Sequence, residues 1–503
     1  MRGSSTRKAK DNEADGDARQ EVVVTRSTVE AGEPDRRDPG EGRGHRNREL
    51  TGGNTTGTQE PDKPRENAGD VSTRLCRIAE IAKKLPNEGL VALAHYIDVP
   101  WLQEAFERTR KNAATGIDGQ TADDYQKHLR VNLEGLKERA KSGTYRAPPV
   151  RRVHIPKPGS EETRPIGVPT FEDKVLQRAV AMVLEPIYEQ IFHDFSYGFR
   201  PGRSQHQALQ RLREGLSGNK GGWVIDLDIR KFFDTLDHGK LREILAKRIG
   251  DGVIRKLIDK WLKAGVMEYG EVTYNDEGTP QGGVISPLLS NIYLHEVLDE
   301  WFVNEVQPRM QGKSFIVRFA DDAVLGFEKE SDAERVMAVL SKRFAKYGLT
   351  VHPEKTKLVD MRKPSAGNQD EDSNDRGAGG FTFLGFRHHW GKSRNGFFVI
   401  RQKTDKSRLA RAILKVTDWI QKNRHLPLKE QQQKLKQKMM GHYGYYGITG
   451  NYLSLARYHY AIQSNWKKWL ARRSNLRTFT WVKFYAILRL FPLPVPRIVH
   501  SYV

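Results

Sequence analysis

Four aspartates in two short stretches have the type and spacing for metal-dependent chemistry. WVIDLDIRKFF, Trp223–Phe233, carries Asp226 and Asp228 two residues apart, so on a strand they share one face. FIVRFADDAVLGF, Phe315–Phe327, sets Asp321 and Asp322 side by side inside an apolar run. Ionised carboxylates in such surroundings are costly unless paired or neutralised, so the site must supply positive charge. Neighbouring residues on a strand point to opposite faces, and Asp321 and Asp322 can serve one point only if a turn intervenes. Two strands in adjacent register, each offering a carboxylate, would form a hard oxygen cage. Mg²⁺ suits that cage. Two such ions about 3.5–4 Å apart can activate an attacking hydroxyl and stabilise a leaving pyrophosphate.

The elements around these residues can be read from periodicity. FIVRF and AVLGF are expected as two strands forming a hairpin joined at Ala-Asp-Asp, and Trp223–Phe233 as a strand. Helices are expected from Val71 to about Leu93, within 101–143 on either side of the turn TGIDGQT, and from Phe171 to about Phe192. HGKLREILAKRIG, residues 284–303 and SDAERVMAVLSKRFAKYG also read as helices. The Pro-rich basic stretch YRAPPVRRVHIPKPGSEETRPIGVPT reads as a β-hairpin with KPGSEET at its tip.

Charge narrows the class of partner. The 503-residue chain has 84 Lys+Arg against 63 Asp+Glu, a formal net charge of +21. Residues 1–70 hold 13 basic and 15 acidic side chains, whereas residues 401–503 hold 21 basic and 3 acidic. A net +18 over the last hundred or so residues repels itself without a polyanion nearby, so nucleic acid is the expected partner. The single cysteine, Cys76, excludes an internal disulfide and a Cys-rich zinc module. No uninterrupted apolar run approaches the length of a membrane span, and the N-terminus lacks the apolar centre of a signal peptide, so a cytoplasmic location without membrane contact is expected.

The order of motifs carries a resemblance. RRVHIPKPGSEETRPIGVPT, SYGFRPGRSQHQAL, DIRKFFDTLDH, GTPQGGVISPLLSNIYL, FADD, GLTVHPEKTKLV and FLGF follow one another as in the reverse transcriptases, or maturases, encoded within bacterial group II introns. The resemblance covers about residues 75–475. It implies an α+β right-hand polymerase: fingers, a palm with an antiparallel sheet, then an all-helical thumb or X domain. The expected organisation is a disordered extension over 1–70, fingers and palm over 71–395 with a mobile insertion at 363–380, a helical thumb over 396–475, and a basic, aromatic tail over 476–503. That tail could bind DNA or simply cover the thumb.

The resemblance also implies roles. Asp228 and Asp321 would be the principal ligands of two Mg²⁺ ions, with Asp322 the third carboxylate. Phe319 stands where the family more often has Tyr, which keeps the ring and loses a hydroxyl. Phe233, five residues after Asp228, matches the aromatic that blocks a ribose 2′-OH and so favours dNTPs. Lys157 and Arg164 would fold over the incoming triphosphate, Gln281 and Gly282 would approach the nucleotide or template, and Lys355 would meet phosphate or act as general acid. Arg151 and Arg152 would hold template backbone. In the thumb, Tyr443, Tyr445, Tyr446, Lys467 and Lys468 would contact RNA through stacking and charge. The implied partners are intron RNA, an RNA template with a DNA or RNA primer, target DNA and dNTPs. No cysteine follows Cys76, so the family's optional endonuclease module is not expected. Splicing-only RNA binding, and a domesticated reverse transcriptase serving defence or repair, are the competing readings.

Overall fold

The computed structural model describes residues 71–156, 163–268, 271–274, 282–364, 379–393, 395–473 and 479–501. The 1–70 extension, the hairpin tip with Lys157, Gln281, and most of the 363–380 insertion lie outside the described residues.

Helix ends follow local chemistry. α1 (Val71–Lys84) stops just before Pro86, whose ring disfavours helix at the preceding residue, so it is shorter than the 71–93 expected. α2 (Val99–Arg108) is capped by Asp98, which accepts from the Trp101 amide. α3 (Ala122–Gln126) opens with a capping box of Thr121 and Asp124, and α4 (Leu129–Ser142) closes on Gly143 at φ 81°. β1 (Val150–Pro156) and β2 (Thr163–Val168) then form an antiparallel hairpin, and α5 (Phe171–Tyr188) and α6 (Gln205–Gly218) follow. β3 (Trp223–Leu227) and the short β4 (Ile229–Arg230) precede α7 (His238–Arg248), α8 (Gly252–Leu262), β5 (Val266–Glu268) and β6 (Glu271–Thr273).

α9 (Ser286–Leu294) runs on through two π-helical turns, His295–Asp299 and Phe302–Val306, where the sequence pattern suggests one regular helix. β7 (Ser314–Phe319), β8 (Asp322–Phe327), α10 (Glu330–Ala345), β9 (Thr350–Val351) and β10 (Lys357–Asp360) complete the region around the aspartates.

The central sheet has strand order β10-β3-β8-β7, all antiparallel. Both faces are covered. Ile225, Leu227, Ile316 and Leu325 enter the large core that includes α5 and the 286–306 helix, while Val224, Val317 and Val324 join a second core with α6. This two-sided burial explains why FIVRF and AVLGF are almost continuously apolar. A second sheet, ordered β2-β1-β5-β6, holds the Pro-rich hairpin.

β11 (Gly380–Phe383), β12 (Phe386–Lys392) and β13 (Phe398–Thr404) form a third sheet before α11 (Lys406–Lys422). The expected all-helical region starting at 396 is therefore corrected: its first residues are a strand. Buried Ile400, Gln402 and Thr404 alternate with more exposed residues, a period of two. α12 (Leu428–Tyr446), α13 (Tyr452–Ala471) and α14 (Trp481–Leu490) pack with α11 around Ile420, Leu435, Met439, Ile462 and Trp466. Phe484 of α14 is buried against Trp466, with ring centroids 5.7 Å apart, so the C-terminal segment covers this helical unit. No helix among the described residues is long and apolar enough to cross a membrane.

Candidate active site

The β7–β8 register pairs Phe319 with Asp322, leaving Ala320 and Asp321 as a two-residue turn with Ala320 at φ 57°. A positive φ at a residue with a Cβ is uncommon and is held here by contacts from several elements. Arg318, fully buried, donates to Asp299 at 2.8 and 2.5 Å, to Asn291 Oδ1 at 2.9 Å and to the Ala320 carbonyl at 3.0 Å. The SYGFRPGRS segment lies alongside: Arg318 N donates to Phe195 O and Tyr197 N to Arg318 O, each at 2.9 Å. Gly198 comes so close that a Cβ there would lie 2.2 Å from Ala320 N. Asn291 Nδ2 donates to Gly198 O at 2.6 Å, tying this segment to α9.

β3 delivers the second pair of carboxylates. Leu227 pairs with Ala323, so Asp228 lies one step beyond the ladder beside Asp322, and Asp226 pairs with Val324 on the same face as Asp228. Burial pushes the Asp226 carboxyl up to about 7, and the charges of Asp322 and Asp228 push in the same direction; Lys357, its cross-strand partner on β10, opposes them. A half-buried carboxyl raised by two neighbouring carboxylates marks a site with more negative charge than its own cations offset.

The loop after β9 supplies one such cation. Lys355 Nζ donates to Asp228 Oδ2 at 3.3 Å, Thr356 Oγ1 exchanges hydrogen bonds with the Asp228 backbone, and the His352 amide donates to Asp228 O at 2.8 Å. The donor set is hard, anionic and oxygen-only, which fits Mg²⁺-like divalent ions and poorly suits softer ones.

Phe233 is half-buried beside Phe232, with ring centroids 5.3 Å apart, while Phe232 is fully in the core. Arg164 is exposed on β2, paired with Ile155. Gly282 adopts φ +116°, and a Cβ there would lie 2.6 Å from the Gly167 carbonyl, so its glycine requirement arises from packing on β2. Lys157 and Gln281 fall outside the described residues.

The expected RNA contacts need revision. Tyr443 is completely buried among Leu435, Met439 and Tyr458, and its hydroxyl faces His459 and the Pro494 carbonyl. It cannot stack on a base. Tyr445 and Tyr446 are half-buried against Phe386, and the Tyr445 hydroxyl donates to Leu384 O at 2.8 Å. Arg151 is committed to the Thr115 carbonyl and Arg152 to Glu268. Lys467 lies over the Trp481 ring, and Lys468 is exposed. Aromatic residues at helical spacing signal core as readily as stacking surface, and here the core reading holds for Tyr443. Residues given no role from the sequence, Arg318, Asp299 and Asn291, hold the hairpin; their visible signals are the arginine within FIVRF and the asparagine within GTPQGGVISPLLSNIYL.

Comparison with known proteins gives a consistent assignment. The family described as reverse transcriptase (RNA-dependent DNA polymerase) matches residues 155–388. Protein YkfC of Escherichia coli is 36% identical over 363 residues, covering 63% of this chain and 90% of that protein. The group II intron-encoded protein LtrA of Lactococcus lactis is 39% identical over 226 residues, 44% of this chain and 37% of LtrA. A 91 kDa protein in the cob intron of Schizosaccharomyces pombe is 36% identical over 200 residues, 40% of this chain and 24% of that protein. The chain thus spans less than two fifths of the length of each of these two intron proteins. The carboxylate hairpin lies within the residues that the family matches, and the chain belongs to the reverse transcriptases, with group II intron-encoded proteins among its relatives.

Proposed function

We propose that the chain is an RNA-directed DNA polymerase that binds its parent group II intron RNA, assists its splicing and copies it into DNA during mobility. The observation that carries this reading is the gathering of Asp226, Asp228 and Asp322 at one end of β3 and β8, beside the turn that bears Asp321. Asp228, Asp321 and Asp322 would hold two Mg²⁺ ions, which when bound supply activation of a primer 3′-OH and stabilisation of the leaving pyrophosphate.

The remaining chemistry belongs to the chain. Lys355, already against Asp228, is within reach of phosphate and can move between the carboxylate and the triphosphate. Arg164, together with Lys157, neutralises the triphosphate from the fingers side. Phe233 sets a ring where a ribose 2′-OH would sit and so favours dNTPs. Exposed cations of α11–α14, Lys468 among them, hold RNA backbone, consistent with the excess of basic over acidic residues after position 400. Target DNA and an RNA template with its primer complete the set of partners.

The test uses a transcript of the native locus with its flanks. Protein-dependent excision at low Mg²⁺ is expected. A protein that extends primers but leaves the transcript unspliced would overturn the intron-bound role and identify a reverse transcriptase acting outside an intron.

A further inference from the structure

Behind the hairpin, on the far side of the Arg318–Asp299 pair, a second cluster of ligating side chains stands apart from the carboxylate site. His193, His295 and Glu300 each offer one ligand atom, and these atoms all lie within 4.8 Å of one another. His193 Nε2 is 2.8 Å and His295 Nε2 is 3.5 Å from the same oxygen, Glu300 Oε1. We propose that this cluster is a zinc-binding site.

The backbone that forms it is unusual. In a regular α-helix residues five apart are rotated by about 140° and face different directions. Here His295–Asp299 is a π-turn, and the Glu300 amide donates to the His295 carbonyl. That longer ring brings Glu300 over His295. π-Turns inside α-helices are rare and often mark functional sites.

The ligands are oriented for one ion. Glu300 Oε2 accepts from Asn304 Nδ2 at 2.7 Å, leaving Oε1 for the imidazoles. His193 stacks on Phe195 with centroids 4.9 Å apart, and His295 meets Phe192 edge-on at 5.3 Å. Arg200 fixes the His193 carbonyl at 2.7 Å. His295 Nδ1 is buried with no hydrogen-bond partner, yet lies 3.7 Å from Asp299 Oδ2. A small rotation would let Nδ1–H donate to Asp299 and turn Nε2 to the ion, the carboxylate–histidine–metal relay that metal-ligating histidines usually make.

Two imidazoles and one monodentate carboxylate suit Zn²⁺. Tetrahedral bonds of about 2.1 Å put ligand atoms about 3.4 Å apart, and the 2.8 and 3.5 Å separations lie on either side of that. A fourth position would take water. The ion would brace Asp299, and through Arg318 the Ala320 carbonyl of the hairpin turn. This role is structural and separate from the catalytic ions.

The experiment uses the full chain, stripped with chelator and dialysed into Mg²⁺-containing buffer. It is titrated with ZnCl₂ by calorimetry and with Co²⁺ by visible absorption. One equivalent of Zn²⁺ is expected to bind, with tetrahedral Co²⁺ bands and a rise in melting temperature. Glu300→Gln and His193→Gln should each weaken binding at least tenfold, and Asp321→Ala should leave it unchanged. Wild-type protein that takes up no stoichiometric Zn²⁺ would overturn the site, whatever the variants do. So would zinc binding that is lost in Asp321→Ala and kept in Glu300→Gln, because the ion would then sit on the catalytic carboxylates.

Discussion

Arg318 is a fully buried cation with a fully buried partner, and the pair is worth most where it cannot be replaced by solvent. Its guanidinium holds Asp299, Asn291 and the carbonyl of Ala320 at once. Removing it leaves the Asp299 charge uncompensated. Arg318→Met should therefore cost about 3–5 kcal/mol in urea unfolding. Adding Asp299→Leu should restore most of that stability without restoring polymerase activity, since the Ala320 carbonyl stays unheld. Recovery of activity in the double variant would show that Arg318 stabilises without positioning. Phe233 makes a different prediction. Phe233→Val should raise ribonucleotide incorporation relative to dNTP by at least about tenfold, a difference of about 1.4 kcal/mol between the two transition states; unchanged discrimination in single-nucleotide kinetics would remove its steric role. At this scale the carboxylates were legible, because Asp residues inside apolar runs announce a cost. Arg318, Asp299 and Asn291 were not, because their meeting depends on a helix and a strand that only the fold brings together.

The hairpin turn works only if its neighbours leave room for it. Gly198 lies against Ala320 so closely that a methyl would have to displace the turn backbone. Gly198→Ala is expected to fold, to keep its RNA affinity, and to lose at least about tenfold in kcat/KM, roughly 1.4 kcal/mol of transition-state stabilisation. Full activity would mean the turn can shift freely. The strands around Asp228 and Asp321 and most helices were readable from periodicity, with ends moved by Pro86 and by caps such as Asp98. β12 and β13 were missed. Their alternation is carried by residues such as His388, Gln402 and Thr404, polar types that look exposed and yet face inward. The π-turns after α9 were also unreadable, since the apolar pattern of 284–303 does not distinguish a π-turn from regular helix.

Over the whole molecule, acid should be destabilising in a defined window. Burial holds the imidazoles of His388 down to about 3 and of His389 and His442 to about 4. In the unfolded chain they take protons near pH 6.5, while in the folded chain they stay neutral to well below that. The unfolded state then binds more protons, so stability is fully present above about 6.5 and is lost as pH falls toward 4. Melting temperature should drop across that range, and His442→Phe, which keeps the stack on Tyr458, should flatten the drop. An unchanged slope in the variant would mean that His442 is not held neutral. The charge asymmetry, with basic residues concentrated after position 400, was visible in composition alone and pointed to nucleic acid before any element was assigned.

The most direct test of the carboxylate site is primer extension on an RNA template with a DNA primer, dNTPs and Mg²⁺, comparing the wild type with Asp228→Asn and Asp321→Ala. RNA affinity is measured in parallel. The wild type should synthesise DNA, and both variants should lose synthesis by several orders of magnitude while binding RNA nearly as well. A variant that extends primers at the wild-type rate would contradict the assignment of these aspartates as the metal-holding centre of a reverse transcriptase.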